Sequence, residues 1–362
     1  MYNVLHILTG DDGGISAIVR DYYRYIDKEK IHFDIACITE IEGNDIAVLK
    51  EMGTEIYHLP MKSSGIKEYT QQLKNILKLK KYNAIHVHES ETSYIALKIA
   101  KKIGIKCRVA HSHTTAPYTS VKGEIRRLSG IILNYHYATN VIGCGKLSGE
   151  RIFGKINMKR KKAIVFSNAI DLQKYSFNSI VRSSVREELG VVNKFVVGFV
   201  GRLAYQKNPL FCLKIMKELI SINNDAVLLM AGNGEYEAGI REYIEDNYLQ
   251  ENVRLLGKRK DAERLYQAFD AFVLPSFYEG YPLVAVEALA SGLPVILSSD
   301  ITPEFSFSKS VKYLKIDNAR NWAEYINKIA EDYVRIEHLK ELDRNIFDIR
   351  CVVKKLEKIY LS

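Results

Sequence analysis

Short apolar runs alternate with longer amphipathic stretches over most of this 362-residue chain, and the alternation restarts near residue 195. The predicted strands of the first series are Asn3–Thr9, His32–Ile38, Glu55–Leu59, Ala84–His88, Cys107–His111, Asn140–Gly143 and Ala163–Phe166. Those of the second series are Phe195–Val200, Ala226–Ala231, Val253–Gly257, Ala271–Leu274, Val295–Ser298 and Val311–Leu314. Predicted helices between them include Ser16–Tyr25, Glu68–Lys80, Pro209–Ile222 and Asp261–Ala268. Strands that alternate with helices form parallel sheets through right-handed crossovers, so the pattern predicts an α/β chain with two doubly wound domains.

The length also favours two domains, because 362 residues exceed what one ordinary hydrophobic core accommodates. We expect the domains to be joined around residues 168–194, between the two strand series. In parallel α/β domains, ligands bind where the chain leaves the carboxyl ends of the strands. Most polar or glycine-rich clusters of this sequence follow a predicted strand, which places the candidate sites at those ends.

The composition is that of a soluble globular protein, with 47% hydrophobic and 26% charged residues. No apolar run reaches the ~18 residues of a membrane-spanning helix. The segment Met1–Gly10 is predicted to be a strand rather than a signal peptide, since it lacks a basic start and a cleavage site. The five cysteines are scattered without metal-ligand spacing, which favours a reducing cytosol and no structural zinc.

Positive charge concentrates in one part of the chain. Residues 92–170 carry 15 Lys or Arg against 2 Asp or Glu, while the whole chain has a net charge of +9. A basic face of this kind attracts nucleic acid, anionic lipid headgroups or phosphorylated substrates. Solvated lysines on helix surfaces are the alternative explanation. The sequence has no recognisable nucleic-acid-binding module, so nucleic acid is the least favoured partner.

Two carboxylates, Glu279 and Glu287, lie in a segment that runs from a predicted strand through a loop into an apolar helix. Pro282 suits the first position of this helix, where its missing N–H costs nothing. The free N–H groups at a helix start attract anions, and carboxylates accept hydrogen bonds from hydroxyl groups. The segment therefore predicts a ligand that is part phosphate and part sugar.

The second strand series begins with a strand that is followed by a glycine and two cations, which are Gly201, Arg202 and Lys207. Two fixed cations at the end of a strand suit a diphosphate. The sequence has no Asp-x-Asp pair to hold a metal ion beside them. We therefore expect the two cations and the helix start after Pro282 to neutralise a leaving diphosphate, without a metal ion or a bound cofactor.

Glycine-rich turns follow several of the predicted strands. Gly13 and Gly14, after the first strand, let the backbone approach a ligand. Their turn is neither a dinucleotide-binding fingerprint nor a P-loop, so nicotinamide and P-loop chemistry are unsupported. Turns at Gly232 and at Gly257–Lys258 are candidates for the wall of a nucleobase pocket. An ordinary structural turn is the alternative for each of them.

Four histidines are paired at the ends of two predicted strands, His86 with His88 and His111 with His113. We expect only one member of each pair to face a given side of the sheet. A zinc site is disfavoured, because cysteine or carboxylate partners are missing at metal-ligand spacing. His113 or His111 is the better candidate for a hydrogen-bond donor or general acid at a ligand. A structural role explains His86 about as well.

These segments together resemble the retaining glycosyltransferases of family 4, which have the GT-B fold. Glu279 through Glu287 resembles the E-x7-E motif of the family, and the flanking residues resemble its P-S-x-x-E-G and E-A-x-A-x-G-x-P-V stretches. Gly201-Arg-Leu and Lys207-Asn208 are similar to its G-R-L…K-N element. Asn168-Ala-Ile-Asp171 is similar to its N-G-[IV]-D element, with alanine in place of the glycine.

The resemblance implies two Rossmann-like, doubly wound domains that face a central cleft. Residues 1–170, with a C-terminal crossover helix at about 340–362, would bind the acceptor, and residues 171–339 would bind a nucleotide-sugar donor. The expected donor-binding residues are Gly13, Gly14, Gly201, Arg202, Lys207, Gly232, Gly257, Lys258, Glu279, Gly280, Tyr281, Pro282, Leu283 and Glu287. The expected catalytic residues are Glu279, His113, His111, Arg202 and Lys207.

Individual roles follow from the same resemblance. Arg202 and Lys207 would hold the diphosphate of the donor. Glu279 would bind hydroxyl groups of the transferred sugar, whereas Glu287 would bind the ribose. His113, or His111 if the register differs, would lie near the reacting sugar.

The overall pattern looks most like bacterial enzymes that extend capsule, exopolysaccharide or lipopolysaccharide repeat units. It implies retaining transfer of a sugar from a nucleotide-diphosphate sugar, with uridine as the expected base, to a saccharide on undecaprenyl diphosphate. Such an enzyme would be cytoplasmic and peripheral on the inner face of the cell membrane, where the basic stretch would meet anionic headgroups. Two alternatives stay open, a GT-B nucleotide-sugar epimerase and a catalytically degenerate partner subunit.

Overall fold

The computed structural model describes residues 1–10, 14–38, 43–118, 120–160, 162–332, 335 and 342–362. These residues separate into two compact units. Unit 1 comprises Met1–Ala169 and Arg344–Ser362, and unit 2 comprises Ile170–Asp343. The sequence-based domain limits, at residue 170 and at about residue 340, lie close to these divisions.

Unit 1 is built on a parallel sheet of seven strands in the order β3-β2-β1-β4-β5-β6-β7. Its strands are β1 Tyr2–Leu8, β2 Ile31–Cys37, β3 Ile56–His58, β4 Ala84–Val87, β5 Cys107–Ser112, β6 Asn140–Gly143 and β7 Ala163–Val165. The helices between them are α1 Ile15–Tyr25, α2 Asn44–Glu51, α3 Ile66–Leu79, α4 Ser93–Ile103, α5 Val121–Tyr137 and α6 Lys146–Phe153. The order of the strands reverses between β1 and β4, so the carboxyl ends of these two strands form the switch point of unit 1.

Unit 2 is built on a parallel sheet of six strands in the order β10-β9-β8-β11-β12-β13. Its strands are β8 Phe195–Val200, β9 Ala226–Ala231, β10 Val253–Gly257, β11 Ala271–Leu274, β12 Val295–Ser298 and β13 Val311–Leu314. Its helices are α7 Leu172–Tyr175, α8 Ser179–Glu188, α9 Pro209–Ile220, α10 Glu237–Asp246, α11 Ala262–Ala268, α12 Leu283–Ala290 and α13 Ala319–Asp332. This is the strand order of dinucleotide-binding sheets, with its switch point between β8 and β11.

Two further helices, α14 Arg344–Phe347 and α15 Ile349–Leu361, return the chain to unit 1. The apolar residues of α15 repeat at helical spacing, and Val352, Leu356 and Tyr360 are buried on one side of it. This helix packs against α1. The last helix of the chain is therefore part of the core that forms around the first strands.

All the strands predicted from the sequence are confirmed, with bounds that differ by one residue at most. The expected joining segment, 168–194, includes the division between the two units at Ala169 and Ile170, and most of it forms α7 and α8 of unit 2. Asp171 and Asn178 cap these two helices by accepting hydrogen bonds from N–H groups of the first turn. Within the described parts of the chain, no helix combines the length and hydropathy that crossing a bilayer requires.

Candidate functional site

The switch point of unit 2 brings two loops together. β8 pairs directly with β11 in parallel, so the loop after β8 and the loop after β11 leave the sheet at the same edge. The first loop carries Gly201, Arg202 and a single 3-10 turn, Tyr205–Lys207. The second runs from Pro275 to Pro282 and leads into α12. The topology therefore places the predicted cations beside the predicted carboxylates.

Glu279 is held by three side chains of these two loops. Its Oε1 lies 2.6 Å from Lys207 Nζ and accepts a hydrogen bond of 2.8 Å from Ser276 Oγ. Its Oε2 accepts a bond of 3.3 Å from Gln206 Nε2. Glu279 is 6% exposed, so this is a buried ion pair in which neither charge is left alone. Lys207 and Glu279 were predicted from the sequence, whereas Gln206 and Ser276 were not.

The two loops are also joined by two further hydrogen bonds and a ring contact. Phe277 N donates to Gln206 O at 2.9 Å, and Gln206 Nε2 donates to Tyr278 O at 3.0 Å. The Tyr205 ring stacks on Phe277 with centroids 4.7 Å apart. These contacts hold Lys207 and Glu279 in a fixed relation, as a binding site requires.

Arg202 differs from Lys207 in its surroundings. Its side chain is exposed and forms no hydrogen bond or ion pair with any residue in the described ranges. The guanidinium can therefore bind an anion without first breaking a contact. Of the two cations predicted for this loop, Lys207 is thus already paired, and Arg202 has no side-chain partner among the described residues.

The neighbouring turns approach each other so closely that glycine is required. A Cβ on Gly232 would lie 1.8 Å from Gly201 O, and one on Gly234 would lie 2.3 Å from Leu203 O. The turns are tied by hydrogen bonds from Gly201 N to Ala231 O and from Leu203 N to Asn233 O, both 2.9 Å long. The glycines therefore let the turn after β9 pack directly against the loop after β8.

The turn after β10 continues this row. Gly257 has a φ of 63°, in the left-handed region that favours glycine, and its carbonyl accepts from Gly232 N at 2.8 Å. Lys258 follows it with an exposed side chain. Three successive turns thus border the same edge of the sheet as Arg202.

The helix α12 begins one residue later than predicted. Its first residue is Leu283, and Pro282 is the N-cap rather than the first helical residue. Gly280 and Tyr281 are buried before it, and the Tyr281 ring packs 4.8 Å from the Phe305 ring. Ala285 N of the first turn donates to Pro282 O at 3.1 Å. N–H groups at a helix start that lack such an acceptor suit an anion.

Glu287, one turn into α12, is held by two tyrosines that sequence reasoning missed. Tyr175 of α7 donates to its Oε1 at 3.0 Å, and Tyr266 of α11 donates to its Oε2 at 2.7 Å. Burial and the charge of Glu287 raise the pKa of Tyr266 well above its usual value, so this phenol remains a donor. A carboxylate oxygen can accept more than one hydrogen bond, and Glu287 is only half-buried.

In unit 1, five histidines converge on three adjacent strands near the switch point. This histidine cluster consists of His6 in β1, His86 and His88 in and after β4, and His111 and His113 in and after β5. The expectation that only one member of each pair faces a given side is wrong, because residues two apart in a strand share a face. The rings of His86 and His88 stack 4.3 Å apart, and those of His111 and His113 lie 4.0 Å apart.

Burial gives the histidine cluster a neutral character. It lowers the pKa of all five imidazoles, to about 3 for His6 and His113, and neighbouring imidazoles lower the other three further. His111 is fully buried, whereas His113 is partly exposed. The rings of His6, His86 and His88, and those of His88, His111 and His113, are grouped closely enough to ligate a metal ion.

Of the two glycines predicted to approach a ligand after β1, Gly14 has a φ of 52° and precedes α1. Gly13 lies outside the described residues.

Comparison with known proteins identifies the family to which this chain belongs. The model of the family "Glycosyl transferases group 1" matches residues 181–347. Over 306 residues the chain is 33% identical to the putative glycosyltransferase EpsF of Bacillus subtilis (strain 168). The aligned region covers 83% of this chain and 79% of that protein. The chain belongs to the group 1 glycosyltransferases.

Two further likenesses concern this group 1 glycosyltransferase. It is 34% identical over 235 residues to the UDP-Gal:alpha-D-GlcNAc-diphosphoundecaprenol alpha-1,3-galactosyltransferase of Escherichia coli, across 63% of this chain and 60% of that enzyme. Anabaena Alr3699/HepE in complex with UDP and glucose superposes with a TM-score of 0.83 at 19% identity, over the full length of both chains. The structural likeness establishes the GT-B fold that the sequence predicted.

Proposed function

We propose that this glycosyltransferase moves a sugar, with retention of its anomeric configuration, from a UDP-sugar to a lipid-linked saccharide during bacterial surface-polysaccharide synthesis. The observation that carries the proposal is the fixed Lys207–Glu279 pair at the switch point of unit 2. Arg202 lies in the same loop as Lys207, and Glu287 lies on the helix that follows Glu279. One edge of the sheet thus offers cations for a diphosphate and carboxylates for sugar hydroxyls.

Each part of the donor has a partner in this proposal. Arg202 and Lys207 hold the diphosphate, together with the N–H groups of Gly280, Tyr281 and Leu283. Glu279 accepts from hydroxyls of the transferred sugar, and Glu287 accepts from the ribose. The turns at Gly201, Gly232, Gly257 and Lys258 border the nucleobase. The solved complex of HepE with UDP and glucose supports uridine as the base.

The surroundings of Glu279 favour a binding role over attack on the sugar. Both of its oxygens accept hydrogen bonds, and one is paired with Lys207. Such a carboxylate is fixed in place and its nucleophilicity is lowered by its partners. We propose instead that the acceptor attacks from the face the diphosphate leaves, and that the leaving phosphate takes the acceptor's proton. Arg202, Lys207 and the start of α12 stabilise the departing charge, and no metal ion is required.

The acceptor part of the proposal rests on a surface of unit 1. The outer face of α5 carries Val121, Ile125, Leu128 and Ile132, which are 51–80% exposed and follow one another at helical spacing. Its inner face is made of small or polar residues, and a Cβ on Gly130 would lie only 2.6 Å from Glu91 O. The apolar stripe of α5 therefore faces outward, unlike that of a helix that only serves the core.

Positive charge accompanies this apolar stripe. Lys122 and Arg126 lie on α5, and Lys155 and the 74% exposed Ile156 lie in a turn whose Asn157 donates to Ile131 O. An apolar stripe among basic residues suits an anionic bilayer, to which each Lys or Arg near the surface adds about 1 kcal/mol. We propose that α5 docks on the inner membrane surface, where a lipid-linked acceptor resides. The name of the E. coli relative specifies an acceptor of this kind.

The proposed reaction is tested by incubating a panel of nucleotide sugars with an undecaprenyl-diphosphate-linked saccharide. We expect transfer from a UDP-sugar that survives EDTA, and NMR of the product should show the anomeric configuration of the donor. Interconversion of nucleotide sugars without an acceptor would identify an epimerase instead. Nucleotide binding without turnover on any acceptor would identify a degenerate partner subunit. A strict requirement for added magnesium would contradict the metal-free part.

Membrane docking is tested by flotation with vesicles of phosphatidylglycerol or phosphatidylcholine. We expect the wild type to float with the anionic vesicles, and the double variant Ile125→Asp/Ile132→Asp to stay in solution. Ile180→Asp is the matched control, because Ile180 is 80% exposed on α8 of unit 2. Equal binding to both lipids, or equal loss in the control, would contradict the docking surface.

A further inference from the structure

The histidine cluster and Tyr360 form one continuous hydrogen-bonded chain. Tyr360 Oη lies 2.7 Å from His86 Nδ1 and 3.2 Å from His6 Nε2. On one side, His86 Nε2 lies 3.2 Å from His111 Nδ1. On the other side, His6 Nδ1 lies 3.2 Å from His88 Nε2, and His88 Nδ1 lies 2.8 Å from His113 Nε2. The hydrogen-bonded chain therefore runs from His111 through His86, Tyr360, His6 and His88 to His113.

Both ends of this chain are unsatisfied. Among the described residues, the buried atoms His111 Nε2 and His113 Nδ1 have no hydrogen-bond partner. Buried ring nitrogens usually find a partner, so two orphaned ones at the ends of one chain require an explanation. The two rings that carry them lie 4.0 Å apart, which brings the ends of the chain back together.

Counting protons leaves two arrangements in which every contact is a hydrogen bond and the Tyr360 O–H also has an acceptor. A neutral imidazole carries one N–H and one acceptor nitrogen, and Tyr360 carries one O–H that it donates to a single partner. If Tyr360 donates to His86, all five histidines carry their proton on Nε2, and the outer nitrogen of His113 is an acceptor. If Tyr360 donates to His6, all five carry it on Nδ1, and the outer nitrogen of His113 is a donor. The outer nitrogen of His111 always has the opposite character.

Conversion between the two arrangements conserves protons. One proton enters at His113 Nδ1, five protons each move across one hydrogen bond, and one proton leaves from His111 Nε2. The outer two protons are exchanged by a molecule that both donates and accepts hydrogen bonds, such as water. A hydroxyl group can do the same, because it is both a donor and an acceptor.

We propose that Tyr360 is a positioning residue that couples the tautomers of the five histidines and thereby sets whether His113 donates to a ligand or accepts from it. The effect on a sugar hydroxyl rests on the proposed function and on the role that the family resemblance implies for His113, near the reacting sugar. The common tautomer follows from the hydrogen-bonded chain alone. The α15 helix thus acts on the site through a hydroxyl group that does not touch the ligand.

The first test is a nitrogen-15 NMR measurement of the imidazole shifts in the wild-type protein at pH 7.5. We expect all five cluster histidines to show the same tautomer, either Nε2–H or Nδ1–H. A mixture of the two tautomers among the five would overturn the proposal. So would stoichiometric Zn²⁺ binding that shifts the five together, because ligation would occupy nitrogens that the chain needs. This test uses no activity, so it is separate from the proposed function.

The second test is Tyr360→Phe, which removes the hydroxyl that joins the two arms of the chain. We expect the tautomers of His111 and His113 to become independent, and kcat to fall about tenfold while KM for the donor is unchanged. Tyr22→Phe is the matched control, because Tyr22 is fully buried in α1 of the same unit and its hydroxyl has no partner among the described residues. Circular dichroism checks that both variants fold. Unchanged tautomers in a folded Tyr360→Phe protein would refute the coupling.

Discussion

The two sheets present different chemistry at corresponding switch points. Unit 2 places the Lys207–Glu279 ion pair beside the junction of β8 and β11. Unit 1 places five neutral imidazoles at β1, β4 and β5. Eight of the nine histidines of the sequence fall within the segments of unit 1, and the ninth, His338, lies outside the described residues.

The contrast separates what the fold determines from what the side chains determine. Parallel winding sets the place where a ligand can bind, and it does so in the same way in both units. The side chains then decide the kind of ligand. A charged edge suits a diphosphate, whereas a neutral edge of donors and acceptors suits hydroxyl groups. This division agrees with the proposal that unit 2 binds the donor nucleotide, and it suits contacts between unit 1 and sugar hydroxyl groups.

Mild acid should separate the two units most strongly. Burial lowers the pKa of all five cluster histidines, so below pH 6.5 the unfolded chain binds protons that the folded unit does not. Above that pH, the five buried neutral histidines make their full contribution to the stability of unit 1. At pH 5.5 the loss is about 1.4 kcal/mol for each histidine that stays neutral in the folded unit. Unit 1 should therefore unfold at a lower urea concentration at pH 5.5 than at 7.5.

This prediction is measured by equilibrating the protein in urea at each pH and labelling with a deuterium pulse at one fixed pH. Peptides of unit 1 should lose protection at the lower urea concentration, and those of unit 2 should change less. An equal shift in both units would mean that the histidine cluster does not control the difference.

Replacing Lys207 by Ala should reduce turnover by about 10²–10³-fold, because the leaving diphosphate loses a fixed cation. It should also destabilise unit 2 by a few kcal/mol, since Glu279 stays buried without its ion-pair partner. The double variant Lys207→Ala/Glu279→Gln separates these effects, because removing both charges restores stability but not turnover. Steady-state kinetics and thermal unfolding measure the two. Recovery of turnover in the double variant would exclude Lys207 from the diphosphate site.

Replacing Arg202 by Ala should weaken UDP binding by about 10–100-fold without a change in thermal stability. The exposed guanidinium has no contact to lose among the described residues. Lys309→Ala is the control, because this exposed lysine precedes β13 and lies at the opposite edge of the sheet. Isothermal titration calorimetry measures the affinity. Similar losses in both variants would show a general charge effect in place of a site.

Replacing Glu287 by Ala should weaken UDP binding by about tenfold, because ribose hydroxyls lose a charged acceptor. Tyr175 and Tyr266 lose their acceptor as well, so Glu287→Gln serves as the conservative comparison. The amide keeps one acceptor oxygen and should retain part of the affinity. Calorimetry with UDP and with uracil separates ribose contacts from base contacts. Unchanged affinity for UDP in both variants would contradict the ribose role.

The strands and the motif-bearing loops could be predicted because their signals are local. A buried parallel strand is a continuous apolar run, and the glycines and cations that follow β8 lie within a few residues of it. The helices α7 and α8 were missed because one is a single turn and both are rich in polar residues. Their capping residues, Asp171 and Asn178, were the available signal.

The partners of the site residues could not be predicted, because they are distant in the sequence. Tyr175 is 112 residues from Glu287, and Tyr360 is 274 residues from His86. Nothing local distinguishes these tyrosines from the 21 others in the chain. Only the packing of α7 and α15 brings their hydroxyl groups next to Glu287 and His86.

The return of α15 to unit 1 has a consequence for how the protein is made. During translation, residues 344–362 leave the ribosome only after the whole of unit 2, a delay on the order of ten seconds or more. Until then the nascent unit 1 has its seven strands but lacks the helix that covers α1 and supplies Tyr360. Unit 2 can therefore reach its final structure before unit 1, although unit 1 is translated first.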